Sequence, residues 1–471
     1  MKRRQFLVNS SVVGLSALAH PFMGYVSAQT QGVKRASGFG ALTAVKDLAD
    51  GEVRLFLPAG FEYRSFGVVG EVMSDGAKTP GKHDGMGAFA GPNGNTILIR
   101  NHEINGPVGA FGDVTKAYDS AAGGGTVTLE VTARGEVVSS RMSLNGTQMN
   151  CAGGVMPWGA WLTGEETVNG PDVGNDYTKA DNSKLTQKHG YLFEVPLNGA
   201  PSGPIRAAGR FAHEAAVFDP VNEVIYMTED NFNFASGFYR YLPPTKPTKN
   251  GKLADGGKLQ MLAIRGQPNK NLALGQPKNA TFAVTWVDID VPDPTFAAGT
   301  SNDIAIQHVG AQGRWKGAAW FSRLEGAVYH AGSVYFVSTQ GGATPKEGPS
   351  AEGGFGKGRG QVWQYHIAKQ TLKLVYESSS EALLDMPDNI AVSPRGSLIL
   401  CEDGSGENFL RALTPRAGLV DIARLAPVAG DAGAEFAGAT FSPDGNTLFV
   451  NVQSRQGRSF AIWGPWRTGG V

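Results

Sequence analysis

The chain has 471 residues, with 42 Lys+Arg against 42 Asp+Glu and hence no formal net charge. That balance gives no sign of the basic face a nucleic-acid partner normally needs, while the length allows a large core and one to three domains. Its 65 glycines are about twice the usual ~7 %, and with 26 prolines they predict short strands and tight turns rather than long helices.

The N-terminus reads as an export signal. Lys2-Arg3-Arg4-Gln5-Phe6-Leu7 is a twin-arginine start, a weakly apolar stretch runs from Val8 to Leu18, and Val26-Ser27-Ala28 offers a small-residue cleavage site. The apolar stretch is shorter than the ~20 residues a membrane span requires, so stable membrane anchoring is not expected. Residues 1–28 are therefore assigned to a signal read by the twin-arginine export machinery, and residues 29–471 to one domain. Of the two cysteines, Cys401 lies in the apolar run Leu398-Ile399-Leu400-Cys401 and is expected in the core. Cys151, between Asn150 and Ala152-Gly153-Gly154, has a less ordinary setting.

Residues 29–50 read as a linker or edge segment, and residues 52–57 as a strand. From there one unit recurs at 90–103, 151–166, 214–230, 325–340, 388–403 and 435–451. Each copy has an apolar strand, a Pro/Gly/Asp turn, and a second β-branched strand ending in Glu, Asp, Asn or Gln. Less regular strands at 126–131, 190–195 and 361–365 lie between copies. A unit with its spacer supplies about four strands, the content of one propeller blade. The fold class is thus all-β, a six-bladed β-propeller with long inter-strand loops; a large sandwich would not produce six copies with the same polar ends. The last strand, 459–463, is expected to close the ring with residues 52–57. The Gly-rich run 352–360 lacks the Gly-Lys-Ser/Thr ending of a phosphate loop and reads as a flexible loop.

In a propeller the first strand of each blade lines the channel, and the hairpin returns to the same mouth. Unit starts (Cys151, Glu214, Glu325, Asp388/Asn389, Glu435) and unit ends (Asn101/His102/Glu103, Glu165/Glu166, Glu229/Asp230, Glu402/Asp403, Asn451) should therefore converge. So many carboxylates in a partly dry channel repel one another unless cations join them. An oxygen-rich cage suits calcium; a thiolate suits a softer ion such as iron. For Arg323, next to Leu324-Glu325, the residues alone leave open a salt bridge to Glu325 or a fork for phosphate oxygens.

These segments resemble a known family. Arg100-Asn101-His102-Glu103, Asn150-Cys151-Ala152-Gly153-Gly154, Trp161-Leu162-Thr163-Gly164-Glu165-Glu166, His189-Gly190-Tyr191, Phe211-Ala212-His213-Glu214, Arg323-Leu324-Glu325-Gly326 and Pro387-Asp388-Asn389 are similar, in this order, to the PhoX-type bacterial alkaline phosphatases. The resemblance runs from about residue 50 to 455. It implies a periplasmic phosphomonoesterase with an iron–calcium cluster at the channel mouth and a small phosphate ester as substrate; separately, a monomer is expected. It implies iron on Cys151, with Glu214 and Asp388 near the same centre. It implies calcium on Glu165, Glu166 and Glu325, and phosphate contacts from Arg323 and Asn101. The chain departs from the family where Gly164 stands for Cys, and Met156 and Ala160 for Thr. The alternatives are a non-catalytic ligand-binding propeller, and a calcium-dependent propeller hydrolase of another ester such as a phytate or a lactone.

Overall fold

The computed structural model describes residues 38–277, 280–343, 357–415, 418–427 and 433–471. The expected signal at 1–28 and most of the Gly-rich run lie outside the described residues. The fold is all-β and propeller-like: the described residues hold 26 strands and one 14-residue helix, Asn302–Trp315, beside a few single turns.

Six antiparallel hairpins organise it. Their inner and outer strands are His83–Ala90 with Thr96–His102, Asn150–Met156 with Ala160–Glu165, and His213–Phe218 with Ile225–Glu229. They continue with Leu324–His330 and Ser333–Ser338, Pro387–Val392 and Leu398–Glu402, and Glu435–Phe441 and Thr447–Gln453. Five of the six follow the expected repeat closely. The first differs: residues 96–102 are its outer strand, and its inner strand begins earlier, at His83.

The hairpins belong to five hydrogen-bonded sheets, not six separate ones. Thr281–Asp288 pairs with Thr371–Glu377 and fuses the third and fourth hairpins into one nine-stranded sheet. An unpaired edge strand is a liability, and two adjacent edges here satisfy each other. The second sheet holds three strands. Ring closure also differs from expectation. The last strand, Arg458–Trp463, pairs with Glu62–Phe66, while Val53–Leu57 joins Gly418–Leu425 in the neighbouring sheet. The N-terminal segment thus completes two sheets.

Small residues let the inner strands meet around one axis. A Cβ added at Gly85 would stand 2.5 Å from the Cys151 carbonyl oxygen, at Gly154 1.7 Å from that of Ala216, at Gly326 2.8 Å from that of Asp388, and at Gly438 2.3 Å from that of Asp84. The last contact brings the sixth hairpin back to the first. Apolar layers between successive sheets form the core, as where Tyr63, Cys401, Phe436, Val450 and Phe460 pack together.

Candidate metal centre

Each inner strand carries a β-bulge near its start. The register slips between His83 and Met86, Asn150 and Gly153, His213 and Ala216, Leu324 and Ala327, Pro387 and Ile390, and Ala437 and Thr440. A bulge breaks the alternation of side chains and re-aims one of them. The first bulged residues are Asp84, Cys151, Glu214, Glu325 and Asp388, then Gly438 in the sixth hairpin. Gly438 has φ +59° and no room for a Cβ; Glu435, three residues earlier, provides the carboxylate of that hairpin.

The outer strands deliver a second set. Their ends read His102-Glu103, Glu165-Glu166, Glu229-Asp230 and Glu402-Asp403, and neighbouring residues point to opposite sides. Glu103, Glu166, Asp230 and Asp403 line a cavity of about 260 Å³. Their predecessors turn away from it. Glu165 accepts from Gln148 N (2.9 Å), His189 Nδ1 (2.6 Å), Gly190 N (2.8 Å) and Tyr191 N (3.1 Å). Glu229 accepts from Gly237 N and Tyr239 Oη, both at 2.8 Å, and Glu402 from Arg411 Nε at 2.5 Å. Glu165, expected beside Glu166 as a metal ligand, is therefore occupied elsewhere: the one-residue step of the strand takes its carboxylate to the far side.

Three overlapping groups of ligand atoms lie within 4.8 Å of one another: Cys151, Glu166 and Glu214; Glu214, Glu325 and Asp388; Asp388, Asp403 and Glu435. Glu214 joins the first two. It is fully buried, and neither carboxylate oxygen has a hydrogen-bond partner. Buried carboxylates are ordinarily paired or metal-bound, so this donor set fits bound cations. Cys151 Sγ donates to Asp84 Oδ2 at 3.2 Å, and Asp84 Oδ1 has no partner. Burial, reinforced by the crowding of like charges, holds Asp84, Glu166, Glu214 and Glu435 well above the usual carboxylate range. Burial and Asp403 push Asp388 up to about 6. Burial, then Asp84 and Glu214, push the Cys151 thiol up.

Two cations face these acids. Arg323, at φ +46°, spreads Nε and Nη2 over the Asp230 carboxylate at 2.9–3.2 Å. Its Nη2 also lies 2.7 Å from Glu325 Oε1. Arg323 is thus salt-bridged, to Asp230 as well as to Glu325, and it lines the cavity. Lys82 Nζ donates to Gln453 Oε1 at 2.8 Å on the same cavity wall.

Asn101, expected to touch the phosphate, does not line the cavity. It sits opposite the first bulge, fully buried, and donates to the carbonyls of Cys151 (2.8 Å) and Ala152 (2.9 Å). Its Oδ1 accepts from Trp161 Nε1 and Thr163 Oγ1. With its amide fully engaged it positions the Cys151 bulge instead. Gly164, opposite the second bulge, has no space for the cysteine of the family pattern: a Cβ would stand 2.8 Å from His213 Cβ.

The structure brings Cys151, Glu166, Glu214, Glu325, Asp388 and Arg323 together and leaves Glu165 and Asn101 outside. The sequence reading missed Asp84, Lys82, Tyr177 and Phe232, all on the cavity wall. Asp84 did leave a signal: Asp84-Gly85-Met86-Gly87-Ala88 repeats the acid-then-small pattern of Glu325-Gly326-Ala327 and Glu214-Ala215-Ala216.

A family model described as alkaline phosphatase PhoX matches residues 37–455. No match is found among curated proteins. Among solved structures, Pseudomonas fluorescens PhoX in complex with vanadate, a transition state analogue, is similar in fold. It has a TM-score of 0.63 and 17 % identity over 92 % of this chain and 99 % of that one. Looser likenesses include Staphylococcus aureus virginiamycin B lyase (TM-score 0.39, 10 % identity, 86 % of this chain and 99 % of that one). Another is a Xanthomonas campestris gluconolactonase (TM-score 0.37, 11 % identity, 90 % and 98 %). The family match takes in all six hairpins and both sets of acids at the channel mouth, and the chain belongs to the alkaline phosphatase PhoX family, a family of phosphatases.

Proposed function

We propose that this chain is an exported phosphomonoesterase of the periplasm, a monomer whose residues 1–28 are a twin-arginine signal. Its body is read as six blades, two of them joined at their outer edges. The reading rests most on Glu214, a buried carboxylate with both oxygens unpartnered between two groups of potential ligands. The sulfur-containing group of Cys151, Glu166 and Glu214 suits iron. The all-oxygen groups around Glu325, Asp388, Asp403 and Glu435 suit calcium.

When bound, such cations supply positive charge that offsets both the carboxylates and the oxygens of a phosphate ester. The chain's own part is orientation. Asp230 and Glu325 hold the Arg323 guanidinium through Nε and Nη2, which leaves its Nη1 end to reach phosphoryl oxygens in the cavity. Asn101 fixes the bulge that carries Cys151, and Glu165 ties the base of Glu166 to the loop 189–191. Lys82 places a second cation on the wall.

The test is expression with the native signal, elemental analysis, and hydrolysis of p-nitrophenyl phosphate with and without chelator. Bound iron and calcium, and turnover lost on chelation and regained with the metals, are expected. Full turnover in metal-free protein, or none in metal-replete protein, overturns the proposal. The helix Asn302–Trp315 is too short to cross a membrane, and no described helix is long and apolar enough to do so.

A further inference from the structure

Two large aromatic side chains stand exposed at the rim of the acidic cavity. Tyr177 is 66 % exposed and Phe232 52 %, in a protein that buries most of its aromatic rings. Their planes lie within 10° of parallel with centroids 6.3 Å apart. That is near the upper end of the ~4.5–7 Å range of ring stacking, a loose pair.

Neither ring is on slack chain. Asp176 accepts from Thr178 N (2.9 Å), Thr178 Oγ1 (2.6 Å), Asn105 Nδ2 (2.7 Å) and Asn169 Nδ2 (3.1 Å), which fixes the backbone beneath Tyr177. Phe232 follows Asp230, which is locked to Arg323, and Asn231, whose N–H donates to Ser236 Oγ at 3.2 Å. The guanidinium carbon of Arg323 lies 4.9 Å from the Phe232 ring centroid. Arg323 and the aromatic rim are therefore in contact, and both rings line the same cavity as the acids.

We propose that Tyr177 and Phe232 form a stacking site for the leaving group, so that the favoured substrates are phosphate monoesters carrying a flat aromatic ring close to the phosphate. This rests on the phosphomonoesterase reading and adds its substrate class. A π-face on the ester stacks on the rings whatever its ring substituents, whereas an alkyl ester has no such face.

The metal-loaded full chain is assayed on phenyl phosphate, a nucleoside 5′-monophosphate and glycerol 3-phosphate. Wild type is compared with Tyr177→Leu, Phe232→Leu, Tyr177→Phe and Phe232→Tyr. Comparing the ring-to-glycerol ratio of kcat/KM between variants cancels the intrinsic reactivity of each leaving group. The leucine variants are expected to lower that ratio about 5- to 150-fold, and the aromatic exchanges to keep it. A fall for phenyl phosphate, with or without one for the nucleotide, supports the site, whereas a fall for the nucleotide alone overturns the preference for a ring close to the phosphate. Unchanged ratios in both leucine variants of an active enzyme overturn it. If no ester is hydrolysed, the phosphomonoesterase reading has failed. Calorimetry with phenylphosphonate against methylphosphonate then decides the rim by itself: tighter phenyl binding that the leucine variants lose supports it, and equal binding overturns it.

Discussion

At the scale of single residues, Glu165 and Glu166 are chemically identical neighbours with opposite duties. Glu166 faces the Cys151–Glu214 group; Glu165 is saturated by four donors. Glu214→Gln or Cys151→Ser is expected to abolish turnover while circular dichroism stays native. Glu165→Gln is expected to cost about 3–5 kcal/mol of stability, the usual penalty for breaking a buried ion pair, read from urea unfolding. His189 sharpens this contrast. Burial opposes its charge, but Glu165 and then Asp119 outweigh it and raise its pKa from 6.5 to about 9. A histidine held charged by the fold stabilises it fully below its unfolded pKa and loses that contribution as pH rises through the folded value. The thermal midpoint should therefore fall between pH 6.5 and 9. In His189→Gln it should start lower and lose this part of the pH dependence.

At the scale of elements, the β-bulge is the device that builds the site. Five successive hairpins open with a ligand-type side chain at the first bulged position, the second residue of each inner strand, where the slipped register re-aims it relative to plain alternation. The bulge needs small residues behind it, because the next inner strand presses against it. Gly154→Ala would place a methyl 1.7 Å from the Ala216 carbonyl oxygen. It is expected to cost about 1–3 kcal/mol, as overpacking generally does, and to lower turnover by separating Cys151 from Glu214. Paired thermal melts and kcat measurements check both effects. The recurring acid followed by Gly or Ala was legible along the chain. The slipped register was not, since it depends on which outer residue each inner one pairs with.

At the scale of the molecule, the ring is held shut by its own chain ends. Glu62–Phe66 pairs with the final strand Arg458–Trp463, and Tyr63 meets Phe460 edge-on with centroids 5.6 Å apart. Both rings are almost fully buried. Phe460→Ala is expected to cost about 3–5 kcal/mol and to expose the seam. Limited proteolysis should then cut first near residues 58–70 and 454–458, while cleavage elsewhere as the first event would show the seam is not the weak point. The fusion of the third and fourth hairpins through Thr281–Asp288 and Thr371–Glu377 belongs to the same scale. It joins segments about 90 residues apart, which no local pattern announces.

What the linear chain determined by itself was local: six polar-ended hairpins, the small residues of the inner strands, and the residue types able to hold cations, because strand periodicity and turn chemistry act over a few residues. Tertiary structure decided which of two adjacent glutamates reaches the cavity, that Asn101 positions a bulge, that Asp84 joins the acids, and which strand closes the ring. Those outcomes depend on register and on contacts between distant segments, which arise only when the backbones meet around a common axis.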